Sequence, residues 1–194
     1  MYSITSKTKK LLIDAARELF ASHGKKNITM NDIAEASNKG RRTLYTYFKN
    51  KDEVYKAVIE NEVNLVIDAL VQNTKKDITP YEKLKNHIVI HLDSIKQSVT
   101  RNGTLRADFF KDTYEVERTR RKMDAEELKL IQNIIAEGIQ KREFKRVDAE
   151  TFSIIILYSL KGLEIPYIRQ KFSPAFDVNK EQVVELIFRG IKQT

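Results

Sequence analysis

The sequence predicts an all-α protein. Three observations carry the prediction. Its 194 residues include 3 prolines and 6 glycines, too few to punctuate a chain of short strands. Strict apolar–polar alternation is nearly absent. Apolar residues instead recur at helical spacing along almost the whole chain. About nine helices are expected: a three-helix helix-turn-helix domain at the N-terminus, then a C-terminal helical bundle.

The first helix, over 6–22, sets Leu12, Ala16, Leu19 and Phe20 on one stripe, and Gly24 is placed to close it. Thr29, followed three residues later by Asp32, is a capping box with Asp in place of the usual Glu; it opens a short helix over about 30–36. Ser37-Asn38 ends that helix, because asparagine tolerates the left-handed conformation a tight turn needs. The third helix starts at Gly40-Arg41 and runs to Phe48, with Leu44 and Phe48 on its buried face. Asn50 caps a fourth helix, with Glu53 at the box position, reaching to about Gln72. After a break at "NTKKDITP", a fifth helix spans about 80–98, with Pro80 in its first turn. A short helix near 105–110 and a long one from Tyr114 through "KREF" follow. Another lies over 148–172, which Pro166 should kink or end, and a last one over 179–193.

Charge is unevenly spread. Residues 1–60 hold 12 Lys and Arg against 7 Asp and Glu, while the rest is close to balance, so the front of the molecule is the part suited to a polyanion. Cysteine is absent, which excludes disulfides, thiolate metal sites and a cysteine nucleophile. No apolar run approaches a membrane span, and the N-terminus lacks the apolar segment of a signal peptide. The expectation is a soluble cytoplasmic protein with no membrane partner.

The stretch "NKGRRTLYTYFKNK" concentrates five cations and three aromatics with no acid. Two short helices joined by a tight turn behind a supporting helix form a helix-turn-helix pattern over 29–48, whose second helix enters the DNA major groove. Leu44 and Phe48 supply its buried face. Its other face presents Arg41, Arg42, Thr43, Tyr45, Thr46 and Tyr47. The planar fork of an arginine suits guanine O6 and N7, and the Thr43 methyl or Tyr45 ring can meet thymine. Lys39, Gly40, Tyr47 and Lys51 lie at the margins, where phosphates run, and Thr29 opens the supporting helix, whose amides also favour a phosphate. An ordinary wet basic face is the competing reading, and Phe48 is a core residue on either one.

Residues 6 to about 66 resemble the N-terminal domain of the TetR family of bacterial transcriptional repressors. The resemblance rests on "LLIDAARELFASHG" and on "ITMNDIAEASNKGRRTLYTYFKNKDEVYKAVI", above all "TLYTYFKNKDEVY". The chain departs from the family's pattern at three places. Asn38 stands where glycine is usual, Lys39 where an apolar residue is usual, and Arg42 where a small residue is common. The last two add charge at the DNA-facing edge and suggest a more guanine-directed or tighter-binding reader. The resemblance implies a 6–66 DNA-binding domain and a 67–194 ligand-binding and dimerisation domain. It implies a ligand-responsive repressor that binds a palindromic operator as a homodimer.

For the dimer the sequence offers its own support. Ile155, Ile156, Leu160 and Leu163 form a stripe on a helix apolar around most of its girth, and Val184, Ile187, Phe188 and Ile191 line the last helix. A large internal core is the alternative. For an effector, His91, Phe110, Tyr114 and Tyr158 could border a cavity for an apolar or amphipathic small molecule, although core packing explains most such aromatics. His87 and His91 stand four apart, a spacing two metal ligands can use, but no third ligand is evident, so neither metal nor cofactor is expected. No phosphate loop or nucleophile motif points to an enzyme. The remaining competitor is a basic helical nucleoid or membrane-surface protein that binds without sequence choice. It accounts for the charge, but not for the ordered pattern of Ile33, Leu44, Tyr45 and Phe48.

Overall fold

A computed structural model of the chain describes residues 7–101, 114–168, 184–185, 188–189 and 191; the side chains of 99, 114–117, 165, 166 and 168 fall outside that description. Among the described residues there are seven α-helices and one turn of 3₁₀ helix, with no strand. The helices are α1 (Lys7–His23), α2 (Met30–Ala36), α3 (Arg41–Tyr47), α4 (Lys51–Thr74), α5 (Pro80–Arg101), α6 (Tyr114–Gln140) and α7 (Ala149–Ile168). Seven of the about nine expected helices are thus described. The short helix expected near 105–110 lies outside the described residues. Of the last expected helix, Val184, Glu185, Phe188 and Arg189 are described, all helical.

Two compact units divide the chain: Met1–Val63 with Ser98–Arg120, and Asn64–Gln97 with Arg121–Thr194. Helices α4, α5 and α6 contribute to both.

In the first unit, each turn is set by local chemistry. Helix α1 buries Leu12, Ala16 and Phe20 and stops where Gly24 adopts φ 78°, its amide donating to Phe20 O. The expected capping box at Thr29 is present in full. Thr29 Oγ1 accepts from the Asp32 amide at 3.2 Å, and Asp32 Oδ2 accepts from the Thr29 amide at 2.8 Å. Asn38 takes the left-handed conformation, φ 52°. The Asn38 amide bonds Glu35 O and the Lys39 amide bonds Ala34 O, which makes a Schellman turn with asparagine in the glycine position. At α4, Asn50 Oδ1 accepts from the Glu53 amide while the Glu53 carboxylate accepts from the Lys49 amide. Leu12, Phe20, Ile33, Leu44, Phe48, Val54 and Tyr55 close one core beneath these turns. Glu62, buried on α4, is paired with Arg101 of α5 at 2.7 Å.

The second unit packs α5, α6 and α7 around Leu84, Ile88, Ile131, Ile135, Ile156 and Leu160. Thr79 and Glu82 form another reciprocal capping box at the start of α5. Helix α6 ends earlier than expected, at Gln140, in a second Schellman turn. Arg142 sits there at φ 61°, and the Glu143 amide donates to Gly138 O. The turn folds Phe144 back over Gly138 so closely that a Cβ at 138 would stand 2.1 Å from the ring. Phe144 then leans on Phe188, which also meets Tyr81 at 4.7 Å between ring centroids. Helix α7 is not ended at Pro166 but runs two residues past it.

Candidate nucleic-acid interface

Helix α3 is seven residues long, so each position is committed to one side. Leu44 is fully buried, and Phe48, its C-cap, is 4% exposed. These two anchors turn Arg41, Arg42, Tyr45 and Thr46 outward to solvent, with Tyr45 48% exposed despite its ring. Thr43 and Tyr47 are half-buried, Tyr47 against the core. Gly40 is the N-cap and is exposed; a Cβ there would meet nothing. Lys39 is half-buried beside the turn. The geometry is that of a helix clamped on one side and offered on the other.

Two of the sequence-derived candidates have additional work inside the protein. Thr46 Oγ1 donates to Arg42 O at 2.9 Å, so its methyl is the group left free to meet a base. Lys51 Nζ donates to Ile28 O at 2.7 Å, tying the start of α4 to the residue before the Thr29 cap. An ammonium keeps two more donors, so this bond and a phosphate contact can coexist. Thr29 is exposed at the start of α2. The backbone hydrogen bond from Thr29 holds the Asp32 carboxyl below its usual range, so the box is charged and firm at neutral pH.

No sequence pattern singles out Lys25. Its ammonium pairs with Asp52 at 2.8 Å and lies 4.2 Å from the centroid of the Tyr55 ring. The hydrogen bond and charge of Lys25 lower the Asp52 pKa. The partners are 27 residues or more away in sequence, so no local pattern could have announced the contact.

The candidate effector residues do not converge in the same way. His91 is 1% exposed, whereas Tyr158 is 65% exposed. Phe110 and the Tyr114 side chain lie outside the described residues. His91 instead joins a buried polar cluster. Glu127 Oε1 accepts from His87 Nε2 at 3.0 Å and from His91 Nδ1 at 2.7 Å, and His91 Nε2 faces Glu164 Oε1 at 3.3 Å. Burial alone would lower the His91 pKa, but the Glu127 charge and the carboxylates on both ring nitrogens raise it to about 10. Burial would likewise raise the Glu127 pKa; the charged His91 and the two imidazole hydrogen bonds hold it well below the carboxylate range. The fold thus brings a carboxylate to both histidines. Even so, among the described residues no group of three or more His, Cys, Asp or Glu is arranged to hold a metal ion. The signal for Glu127 was present in the sequence: with Met123, Ile131 and Ile134 it occupies the apolar stripe of its helix, the wrong place for an unpaired acid.

Of the candidate interface residues, Ile156, Leu160, Val184, Phe188 and Ile191 are buried within this chain's own core, and Leu163 packs against it. Ile187 lies outside the described residues. Ile155, at 54%, is exposed, together with Ile154 and Tyr158 on the same helix. No described helix is long and apolar enough to cross a membrane.

The same pattern is found in known proteins. The family described as "Bacterial regulatory proteins, tetR family" matches residues 12–58, which run from the core of α1 to the second turn of α4. The HTH-type transcriptional regulator YhgD of Bacillus subtilis (strain 168), itself uncharacterized, is 25% identical over 149 residues, 77% of this chain and 78% of that protein. A transcriptional regulator from Cytophaga hutchinsonii shares the fold with a TM-score of 0.80 at 24% identity, covering 97% of this chain and all of that one. The regulator FadR of Bacillus subtilis, solved in complex with stearoyl-CoA, shares it with a TM-score of 0.68 at 21% identity, covering 92% of this chain and 96% of its own. The helix anchored by Leu44 and Phe48 thus lies within residues 12–58, the part of the chain that matches the tetR family of bacterial regulatory proteins.

Proposed function

We infer that the chain is a DNA-binding transcriptional regulator that reads a palindromic operator as a homodimer and is released by a small apolar or amphipathic effector. The observation that carries the DNA reading is the outward face of α3. Arg41 and Arg42 stand exposed in its first turn, where a recognition helix meets base edges. Residues 6–66 would be the DNA-binding domain and 67–194 the domain for effector and dimer.

Support for the dimer is the exposed apolar face of α7 at Ile154, Ile155 and Tyr158. Support for an effector comes from the family and from the neighbour that holds stearoyl-CoA. In this reading α4 is the coupling element, since it contributes 51–63 to one unit and 64–74 to the other. Two reading heads must sit about 34–36 Å apart to enter successive major grooves, so a displacement of a few ångströms in α4 would cost one head its contacts.

The test is selection of a binding site from a randomised duplex pool, followed by titration of Arg41→Ala and Arg42→Ala. Each arginine that reads a base should cost about 1–3 kcal/mol on the selected site and relax its preference there. Selection of no consensus, or equal losses on selected and random DNA, would leave binding without sequence choice as the better account.

A further inference from the structure

The outward face of α3 is chemically one-sided. Its exposed side chains are Arg41, Arg42, Tyr45 and Thr46, with no acid and no carboxamide among them. Asparagine and glutamine are the side chains that grip adenine N6 and N7, and aspartate and glutamate are those that accept from cytosine N4. A guanidinium only donates. The face therefore matches bases that present acceptors in the major groove, guanine through N7 and O6 and thymine through O4. Thymine differs from guanine there by its C5 methyl, which is met by an apolar contact.

Thr46 has such a contact to offer. Its hydroxyl is folded back onto the helix and donates to Arg42 O at 2.9 Å. Hydroxyl and methyl share one carbon, so committing the first to the backbone fixes the second in a different staggered position. Thr43, the other threonine of α3, is half-buried, whereas Thr46 is exposed. Arg42 and Thr46 are one turn apart on the same edge of the helix, about 6 Å along its axis. Base pairs stack every 3.4 Å or so, about half that distance. A helix lying in the groove thus carries the Thr46 methyl about one or two base pairs beyond the base under Arg42.

We propose that Thr46 is a specificity-determining residue, reading the C5 methyl of a thymine about one or two base pairs from the guanine contacted by Arg42. The inference rests on the DNA-reading assignment of α3 and adds to it a base recognised without a hydrogen bond. The methyl does the reading; the hydroxyl belongs to the helix.

The test remakes the selected duplex with uracil in place of thymine, one position at a time. The exchange removes the C5 methyl and leaves the base-pair hydrogen bonds intact. Wild type should lose about fourfold in affinity at one thymine of the half-site, the loss expected for one methylene-sized apolar contact. Thr46→Val keeps a methyl without the hydroxyl and should retain that discrimination. Thr46→Ser keeps the hydroxyl without the methyl and should bind the thymine and uracil duplexes equally. Both variants should keep the wild-type preference for guanine under Arg42. A selected site with no thymine within about two base pairs of that guanine, or a wild type indifferent to uracil at every such thymine, would overturn the assignment while leaving Arg41 and Arg42 as readers. Discrimination that survives Thr46→Ser would overturn it by giving the methyl contact to another side chain. Discrimination lost in Thr46→Val would overturn it by making the hydroxyl the reading group. Selection of no consensus would instead overturn the DNA reading on which the assignment rests.

Discussion

Replacing Glu127 with glutamine keeps the side chain's volume and removes its charge, which isolates what the buried cluster contributes. The carboxylate sits at 0% exposure and accepts two imidazole hydrogen bonds through one oxygen. An amide oxygen can accept the same bonds but cannot balance a buried imidazolium. Removing one partner of a buried charge pair costs about 3–5 kcal/mol, and that range is the expected loss in the second unit. The pH dependence follows from the direction of each shift. The folded-state pKa of His91 is raised from 6.5 to about 10, so its contribution is complete below the unfolded value and fades as pH rises towards 10. The Glu127 pKa is depressed from 4.5, so its contribution is present above that value and is lost as pH falls through the folded one. Both are at full strength between the two unfolded values. Urea unfolding followed by circular dichroism should therefore show the largest gap between wild type and Glu127→Gln near about pH 6, and a narrower gap near about pH 9. Histidine side-chain NMR adds a direct check, since the His91 ring should remain protonated on both nitrogens near about pH 8. A loss below about 1 kcal/mol, or one that is the same at both pH values, would refute the account of a charged buried pair.

Gly138→Ala should destabilise the second unit by roughly 1–2 kcal/mol in thermal or urea melts, because the new methyl strikes the buried Phe144 ring and overpacking outweighs the better helix propensity of alanine; a stabilised variant would show that Phe144 yields freely. Ile155→Glu should convert the proposed dimer into monomer in light scattering at micromolar protein while leaving the melting temperature near wild type, since the side chain is exposed within the chain. The same change at Ile156 would chiefly unfold the second unit, because Ile156 is 1% exposed inside its own core. An Ile155→Glu protein that remains dimeric would remove α7 from the proposed interface.

The sequence by itself determined those features that depend on neighbours a few residues apart. The Thr29–Asp32 box, the left-handed Asn38, the Asn50 cap and the burial of Leu44 and Phe48 all follow from local hydrogen-bonding and helical period, and each is present in the structure. The outward turn of Arg41, Arg42 and Tyr45 follows in the same way, since a seven-residue helix anchored at Leu44 and at its C-cap Phe48 has its remaining faces assigned. The tertiary structure alone decided which apolar stripe was core and which was surface. Ile155 and Ile156 are adjacent and equally apolar, yet one faces solvent and the other is sealed, because a helix apolar on every side carries no signal of which side meets its neighbours. It also decided the pairing of Lys25 with Asp52, of Lys51 with the Ile28 carbonyl, and of Glu127 with two histidines 36 and 40 residues before it. The physical reason is common to all of them. Charge and hydrogen-bond partners are chosen by distance in space, and periodicity along a chain reports only which way a side chain leaves its own helix.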